Sequence, residues 1–245
     1  MKVALICIAK NEDHYLHEWI EYNIKLGFDH IYIYENNWIC PLEHKSLTKI
    51  KWDGVAQQLP TYNHFIKTYG NQYDWGAFID CDEFIVLKKH NNIKELIEEY
   101  NNTVGLNINW KFFGNMNKME RDDSGSLIKQ FTKSQIGTNR HIKTIINLRA
   151  SHRFVNPHFT NIPTKNVNGS IIRGPFNYNG SDDVAYIAHY YQKTYQDWQE
   201  RVVRGKADCI GTRKLEEWKK NINEVEDFNE VDNFDLLNFM YNTNE

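Results

Sequence analysis

The first 37 residues constrain the fold more than any other stretch of this chain. Val3–Ala9 is a short, apolar, β-prone run bounded by the polar cluster Lys10-Asn11-Glu12-Asp13, the pattern of a fully buried strand. Leu16, Trp19, Ile20 and Ile24 then recur at helical spacing, with Asn11 or Asp13 available as a cap and Gly27 as a stop. The stretch "HIYIYENN" reads as a second strand that ends in a polar loop. Strand, helix and strand so close together form the βαβ pattern, which requires parallel strands joined by a right-handed crossover.

The alternation continues. "GVAQQLP" reads as a third strand, "TYNHFIKTYG" as a short helix opened by Thr61 and closed by Gly70, and "WGAFID" as a fourth strand. "NIKELIEEYN" follows as a helix and "TVGLNINW" as a strand, which predicts an α/β fold with a mostly parallel central sheet flanked by helices. From Lys111 to about Gly180 the pattern weakens, although "HIKTIINLRASHRFVN" alternates enough for one or two strands. "TYQDWQERVVRG" is a helix capped by Thr194, with Tyr195, Trp198 and Val202 on one face and Gly205 ending it. "RKLEEWKKNI" and "DNFDLLNFMYN" read as short terminal helices.

Composition excludes several classes of function. With 41% hydrophobic and 14% aromatic residues, the chain can bury a substantial core. A formal net charge of −3 argues against general nucleic-acid binding, which favours basic chains. Cys7, Cys40, Cys81 and Cys209 are scattered without a C-x-x-C pair, so reduced thiols are expected, not a zinc ribbon or a disulfide scaffold. No stretch approaches the roughly 20 apolar residues that span a bilayer, and the N-terminus lacks a signal-peptide pattern. The expectation is a cytoplasmic protein with at most peripheral membrane contact.

In open α/β sheets, ligands bind at the carboxyl ends of the strands, where "KNED", "ENN" and "DCDEF" all fall. The last is the most demanding. "WGAFIDCDEFIVL" interrupts an apolar run with Asp80, Asp82 and Glu83, and a buried carboxylate without a partner is costly. Strand alternation puts Asp80 and Asp82 on one face and Glu83 on the other. Neighbouring carboxylates repel unless a cation lies near them, and hard oxygen ligands suit Mg²⁺, Mn²⁺ or Ca²⁺. Solvated acids at a strand end are the plainer alternative. An EF-hand does not fit, because Ile85 and Asn91 stand where that loop needs Gly and Glu. Phosphatases with an aspartyl nucleophile also place D-x-D after an apolar strand, but they continue with a small residue and Thr or Val, not Glu83-Phe84.

Longer strings carry a more specific resemblance. "ICIAKNEDHYLHEWIEYNIKLGFDHIYIYENN" resembles the opening of bacterial family 2-like glycosyltransferases and the related family 92. "DWGAFIDCDEFI" resembles their D-x-D segment, "NRHIKTIINL" their central lysine-containing strand, and "AHYYQKTYQDWQERVVRGKAD" their distal basic segment. "ENNW" lacks the Ser-x-Asp that often follows in relatives, and Lys129-Gln130-Phe131 stands where several carry Glu-Arg-Phe. The resemblance implies a GT-A fold, a Rossmann-like nucleotide-diphospho-sugar transferase domain over residues 1–210. Its nucleotide-sugar half would be 1–110 and its acceptor and metal half 111–210, with a helical extension over 211–245. The implied reaction moves a hexose, galactose or glucose, from a UDP-sugar donor to an oligosaccharide or glycolipid acceptor such as lipopolysaccharide or capsule, with inversion and with Mn²⁺ (or Mg²⁺). Competing readings are a metal-dependent phosphohydrolase or nucleotidyltransferase using the same acids, and a non-catalytic glycan-binding domain.

Roles follow from that resemblance. Asp82 is the direct metal ligand, Asp80 contacts the donor ribose or reaches the metal through water, and His189 is the second protein ligand. Lys193, Arg204 and Lys206 meet the diphosphate, and Arg201 is a further basic candidate that the helix dipole explains equally well. Lys10, Asn11 and Glu12, and Glu35, Asn36 and Asn37, lie where base and ribose are expected, or else serve as caps and turns. The base that accepts the acceptor's proton is carried forward as Asp183 or Glu120, with Asp122, Asp123, Asp182, His152 and His158 also open. Trp110, Phe112 and Phe113 with Gly114 form an acceptor platform or ordinary core packing.

Overall fold

The computed structural model describes residues 1–205, 211, 213–218 and 228–241. β1 (Val3–Ala9), α1 (Leu16–Leu26) and β2 (His30–Glu35) form the first crossover, followed by the edge strand β3 (Leu47–Lys51). Next come α2 (Gln58–Thr68), β4 (Trp75–Phe78), β5 (Glu83–Leu87), α3 (Ile93–Glu99) and β6 (Gly105–Phe112). The second half carries α4 (Leu127–Gln130), β7 (Lys133–Ser134), β8 (Ile142–Asn147), β9 (Phe154–Asn156), β10 (Phe159–Thr160), β11 (Thr164–Asn166), β12 (Ile171–Ile172) and β13 (Ala185–His189). α5 (Tyr195–Arg204), β14 (Val231–Asp232) and α6 (Asp235–Tyr241) follow.

This is a mixed α/β fold. The main sheet runs β12-β11-β6-β8-β4-β1-β2-β3. It is parallel from β3 through β4 and turns antiparallel where β8 inserts between β4 and β6. β1 is buried along its whole length because both faces are covered. Val3, Leu5, Cys7 and Ala9 join one apolar core, while Ala4, Ile6 and Ile8 join the other. α1 packs on the first of these through Leu16, Trp19, Ile20 and Leu26, and Gly27 closes it in the left-handed conformation (φ 102°) that costs glycine least. β6 then divides its pairing. Gly105–Asn109 bond to β8, while Trp110–Phe112 bond to β13, which itself pairs with β5.

Several local expectations change. α1 starts at Leu16 after Tyr15, without a side-chain cap from Asn11 or Asp13, and Asp13 instead accepts from the Trp38 indole. "GVAQQLP" is not a strand: Gly54 and Ala56 turn the chain through positive φ, and α2 starts at Gln58 with Pro60 in its first turn, where proline is tolerated. The edge strand is the half-buried "LTKIK" just upstream. The D-x-D segment is also not one continuous strand. Its acids occupy a turn between β4, in the main sheet, and β5, which leaves to pair with β13.

The described part of the expected C-terminal extension is woven into the domain. β14 pairs with β7, Phe228 stacks on Phe112 at 4.6 Å, and Leu236 joins the first core. The Asp235 carboxylate accepts from Lys88 at 2.7 Å and from the Tyr186 hydroxyl at 2.9 Å. No helix among the described residues is long and apolar enough to cross a membrane. Truncating the buried Phe228 to Ala is expected to cost about 3–4 kcal/mol. Urea unfolding of the Phe228→Ala protein should still show one transition, shifted to lower denaturant, because the C-terminal segment shares the main core.

Candidate active site

Parallel strands β1, β2 and β4 end at one edge of the sheet, and a cleft of about 290 Å³ opens there. Because β8 runs antiparallel to β4, its first residues reach the same edge and bring in Lys143. β13 ends in His189, and α5 crosses above with Arg201 and Arg204 in its last turn. Trp198, fully buried, anchors α5, and a capping box between Thr194 and Asp197 fixes its start. The helix dipole does favour Arg201 and Arg204 where they stand, yet both guanidinium groups also reach acids of the cleft.

Two of the three acids share one cation, and the third has its own. Asp80 accepts from Lys143 Nζ at 3.0 Å and from Gln58 Nε2 at 2.6 Å. Glu83 is completely buried, lies 3.5 Å from the same Lys143, and accepts the Asp80 backbone N–H at 3.0 Å. Asp82, also buried, accepts from Arg201 Nη2 at 3.0 Å, and His189 Nε2 lies 3.7 Å from its other oxygen. This segment is a turn between two strands, so its own geometry places the acids. Glu83 serves as a buried brace for the turn, while Asp80 and Asp82 both line the cleft.

The electrostatics follow from burial and these partners. Desolvation pushes the Asp82 carboxyl upward, but the cations Arg201, Lys193 and Arg204 outweigh it and hold the group well below the usual carboxylate range. Burial raises Glu83 well above that range against the pull of Lys143. Lys143 is itself desolvated, yet Asp80 and Glu83 keep its ammonium strongly favoured. His189 is lowered to about 3, chiefly by burial, and is a neutral imidazole at neutral pH. Glu12 pairs with Arg204 and, at 3.4 Å, with Lys193. These cations hold Glu12 below its ordinary value of 4.5 despite desolvation.

Lys10 and Arg204 clasp the end of β1 to α5: Lys10 Nζ donates to the Arg204 carbonyl at 3.2 Å, and Arg204 Nη1 returns to the Lys10 carbonyl at 2.7 Å. Lys193 and Asn11 line a second cavity of about 580 Å³, which shares Lys10, Glu12, Arg201 and Arg204 with the cleft. Both adopt left-handed backbone (φ 53° and 52°), strain that side-chain anchors must offset. For Lys193 those anchors are Glu12 and the Tyr15 ring, 5.1 Å away.

The remaining candidates divide cleanly. Asn36 lines the cleft, with its amide donating to the carbonyls of Trp52 and Gly54. Glu35 is turned to the Cys40 N–H, and Asn37 holds the Asp53–Gly54 turn. Lys206 lies outside the described residues. Glu120 and Asp183 are exposed and line neither cavity, and Asp183 is engaged with Ser181 in a local turn. Asp182 pairs with Lys111, Asp122 accepts from Ser124, and Asp123 lines neither cavity. Both nitrogens of His152 are used within the fold. Only His158 of these seven lines the cleft. Trp110 does too, whereas Phe112, Phe113 and Gly114 are packed against Phe228, Tyr190 and Asn229. Gln58, Lys143, Tyr191 and Arg213 are cleft residues that were not among the candidates. Of these, only Lys143 carried a signal, as the lysine of "NRHIKTIINL".

A divalent ion can be tested against this donor set. Two donors on one Mg²⁺-sized ion, each about 2.1 Å from it, lie at most about 4.2 Å apart. The 3.7 Å between Asp82 and His189 satisfies that limit, and neutral imidazole is the ligating form. Asp80 is occupied by Lys143 and Gln58, and no group of three His, Cys, Asp or Glu among the described residues can hold an ion by itself. Such a two-residue set fits an ion whose other ligands are substrate phosphates and water. The cleft's side chains suit phosphate as well. Lys10, Lys143, Arg201, Arg204 and Arg213 face Glu12, Asp80 and Asp82, an excess of two positive charges.

Comparison with known proteins identifies the class. The model for glycosyltransferase family 92 matches residues 4–236, and the chain belongs to that family. Of the two resemblances in the sequence, this is the one matched. A family 92 protein of Ricinus communis is 24% identical over 260 residues, covering 92% of this chain and 45% of the relative. One of Arabidopsis thaliana is 25% identical over 259 residues, covering 89% of this chain and 43% of the relative. The chain thus spans about half the length of the curated relatives it matches.

Two measurements test this charge arrangement. Lys143→Met leaves two carboxylates without their shared cation and is expected to cost about 3–5 kcal/mol in urea unfolding, with part recovered by adding Glu83→Gln. Glu12, lowered in the fold, contributes stability that is complete above about pH 4.5 and is lost as pH falls through its folded value. The stability gap between the unaltered protein and Glu12→Gln should therefore narrow as pH is lowered from 7 to about 3.

Proposed function

We propose that this chain is a GT-A-type glycosyltransferase that moves a hexose from a nucleoside diphosphate donor, a UDP-sugar, to a glycan acceptor. The observation that carries the reading is the Asp82–His189 pair at the carboxyl ends of the parallel strands, set among cations in excess. Transfer breaks the bond between the sugar's anomeric carbon and the diphosphate, so negative charge develops on the leaving group. Asp82 and His189 would hold Mn²⁺ or Mg²⁺, which supplies Lewis-acid charge to that diphosphate. Arg201, Arg204 and Lys10 add fixed positive charge from the chain itself, in a partly closed cleft where such charge is worth more than in water. Asn36 and the β1 end face the nucleoside, and Asp80 is held by Lys143 and Gln58 for the donor's sugar hydroxyls.

His158 is the base of the proposed inverting transfer. Its Nδ1 lies 2.8 Å from the Ile142 carbonyl, an acceptor only, so the proton sits on Nδ1 and Nε2 keeps its lone pair. Burial and Lys143 lower it to about 4, so the ring is neutral and able to accept at neutral pH. Lipopolysaccharide or capsule synthesis at the inner face of a membrane is the setting this reading suggests.

Nucleotide release from a panel of nucleotide sugars, with and without Mn²⁺, is the decisive assay. Release from one UDP-sugar should disappear with a chelator and fall at least about 100-fold in Asp82→Ala. Phosphate release from simple esters instead would establish the phosphohydrolase alternative.

A further inference from the structure

The aromatic rings at the cleft do not end with Trp110. Trp110 stacks on His141, with centroids 4.9 Å apart and planes 24° apart. His141 meets Phe176 edge-on at 4.9 Å, and Phe176 lies 6.2 Å from Tyr178. The Arg140 guanidinium sits 4.8 Å from the Phe176 ring and 5.8 Å from that of Tyr178. The row thus runs from a cleft wall to Tyr178, which is 73% exposed.

The outer end of this row is held in place. His141 and Phe176 form a backbone bridge, and the Asn177 N–H donates to the Arg140 carbonyl at 2.8 Å. Beneath them, the buried Asn109 and Asn177 exchange bonds: Asn109 Nδ2 donates to the Asn177 carbonyl at 2.9 Å, and Asn177 Nδ2 donates to Asn109 Oδ1 at 2.8 Å. A single exposed tyrosine is unremarkable on any surface. Here it ends a fixed row of rings beside the Arg140 guanidinium.

We propose that Trp110, Phe176, Tyr178 and Arg140 form the binding track for an oligosaccharide, entering over Tyr178 and reaching the cleft at Trp110. Its role as the acceptor rests on the glycosyl-transfer reading; its affinity for oligosaccharide does not. The C–H faces of pyranose rings carry slight positive charge and match the negative faces of aromatic rings, while the hydroxyls at their edges need donors and acceptors. Arg140, whose guanidinium lies over the Phe176 ring, is a pure donor with several N–H groups. Continuity with the cleft places one end of such a chain beside His158, whose ring lies 5.1 Å from Trp110.

The test is saturation-transfer NMR titration with cellotetraose, maltotetraose, chitotetraose and β-1,4-galactotetraose, with no nucleotide or metal present. At least one should bind, and Tyr178→Ala and Phe176→Ala should each raise its Kd about five- to tenfold. Ile39→Ala, an exposed apolar site on the loop after β2 toward the opposite edge of the sheet, should leave it unchanged. Tyr178 is exposed enough for its replacement to leave the fold intact, which thermal melts check. The track is refuted if none of the four binds, or if one binds equally well to Tyr178→Ala and Phe176→Ala. Donor turnover without tetrasaccharide binding overturns the track and leaves the transferase reading standing, and binding without turnover does the reverse.

Discussion

One buried ammonium holds the site together. Lys143 lies between Asp80 and Glu83, and without it two carboxylates would face each other in a turn where one is fully desolvated. That turn is where the chain leaves the main sheet after β4 and begins β5 against β13. The cation therefore secures more than a salt bridge. It allows an acidic segment to stand at the junction of two strand pairings, with Asp82 presented to the same cleft as Asp80. A buried pair of this kind adds little net stability compared with apolar residues, and its value is the geometry it specifies.

Around that junction, opposite charges are distributed so that no acid is left alone and the cations remain in excess. Asp82 has Arg201, Glu12 has Arg204 and Lys193, and Asp80 shares Lys143 with Glu83. The partners come from strands and helices far apart in sequence, and α5 is locked to the end of β1 by reciprocal bonds from the Lys10 and Arg204 side chains to each other's carbonyls. An anion entering the cleft would meet cations already ordered by their acids. That ordering lowers the cost of binding, because the side chains are not immobilised by the ligand.

Much of the fold was legible because burial leaves periodic traces. The βαβ opening, the capping of α5 by Thr194 and the glycine stop at Gly27 each express a local rule, and the rules agree with one another. The failures were also local. "GVAQQLP" has a strand-like composition, but two positive-φ residues and a proline suited to a helix's first turn decided otherwise. Glu120 and Asp183 have the right chemistry for a base, yet neither lines the cleft, and no pattern in one sequence reports that. Gln58 was missed as a site residue because it sits inside an ordinary helix, distinguished only by what lies across from it, and Lys143 was marked only by its place in a lysine-containing strand.

The sequence by itself determined that parallel strands would end in polar segments, and that Asp80, Asp82 and His189 belonged to segments of one family's kind. Hydrophobic periodicity and local turn chemistry are encoded over a few residues, so they can be read without knowing the rest. The tertiary structure alone decided which acids share a cation, that Glu83 is a buried brace, that His158 lines the cleft, and that a row of rings leads out to Tyr178. Those facts depend on strand order and register, since β8 delivers Lys143 only by running antiparallel beside β4. Register is set by packing across the whole sheet, and no single stretch of the chain contains it.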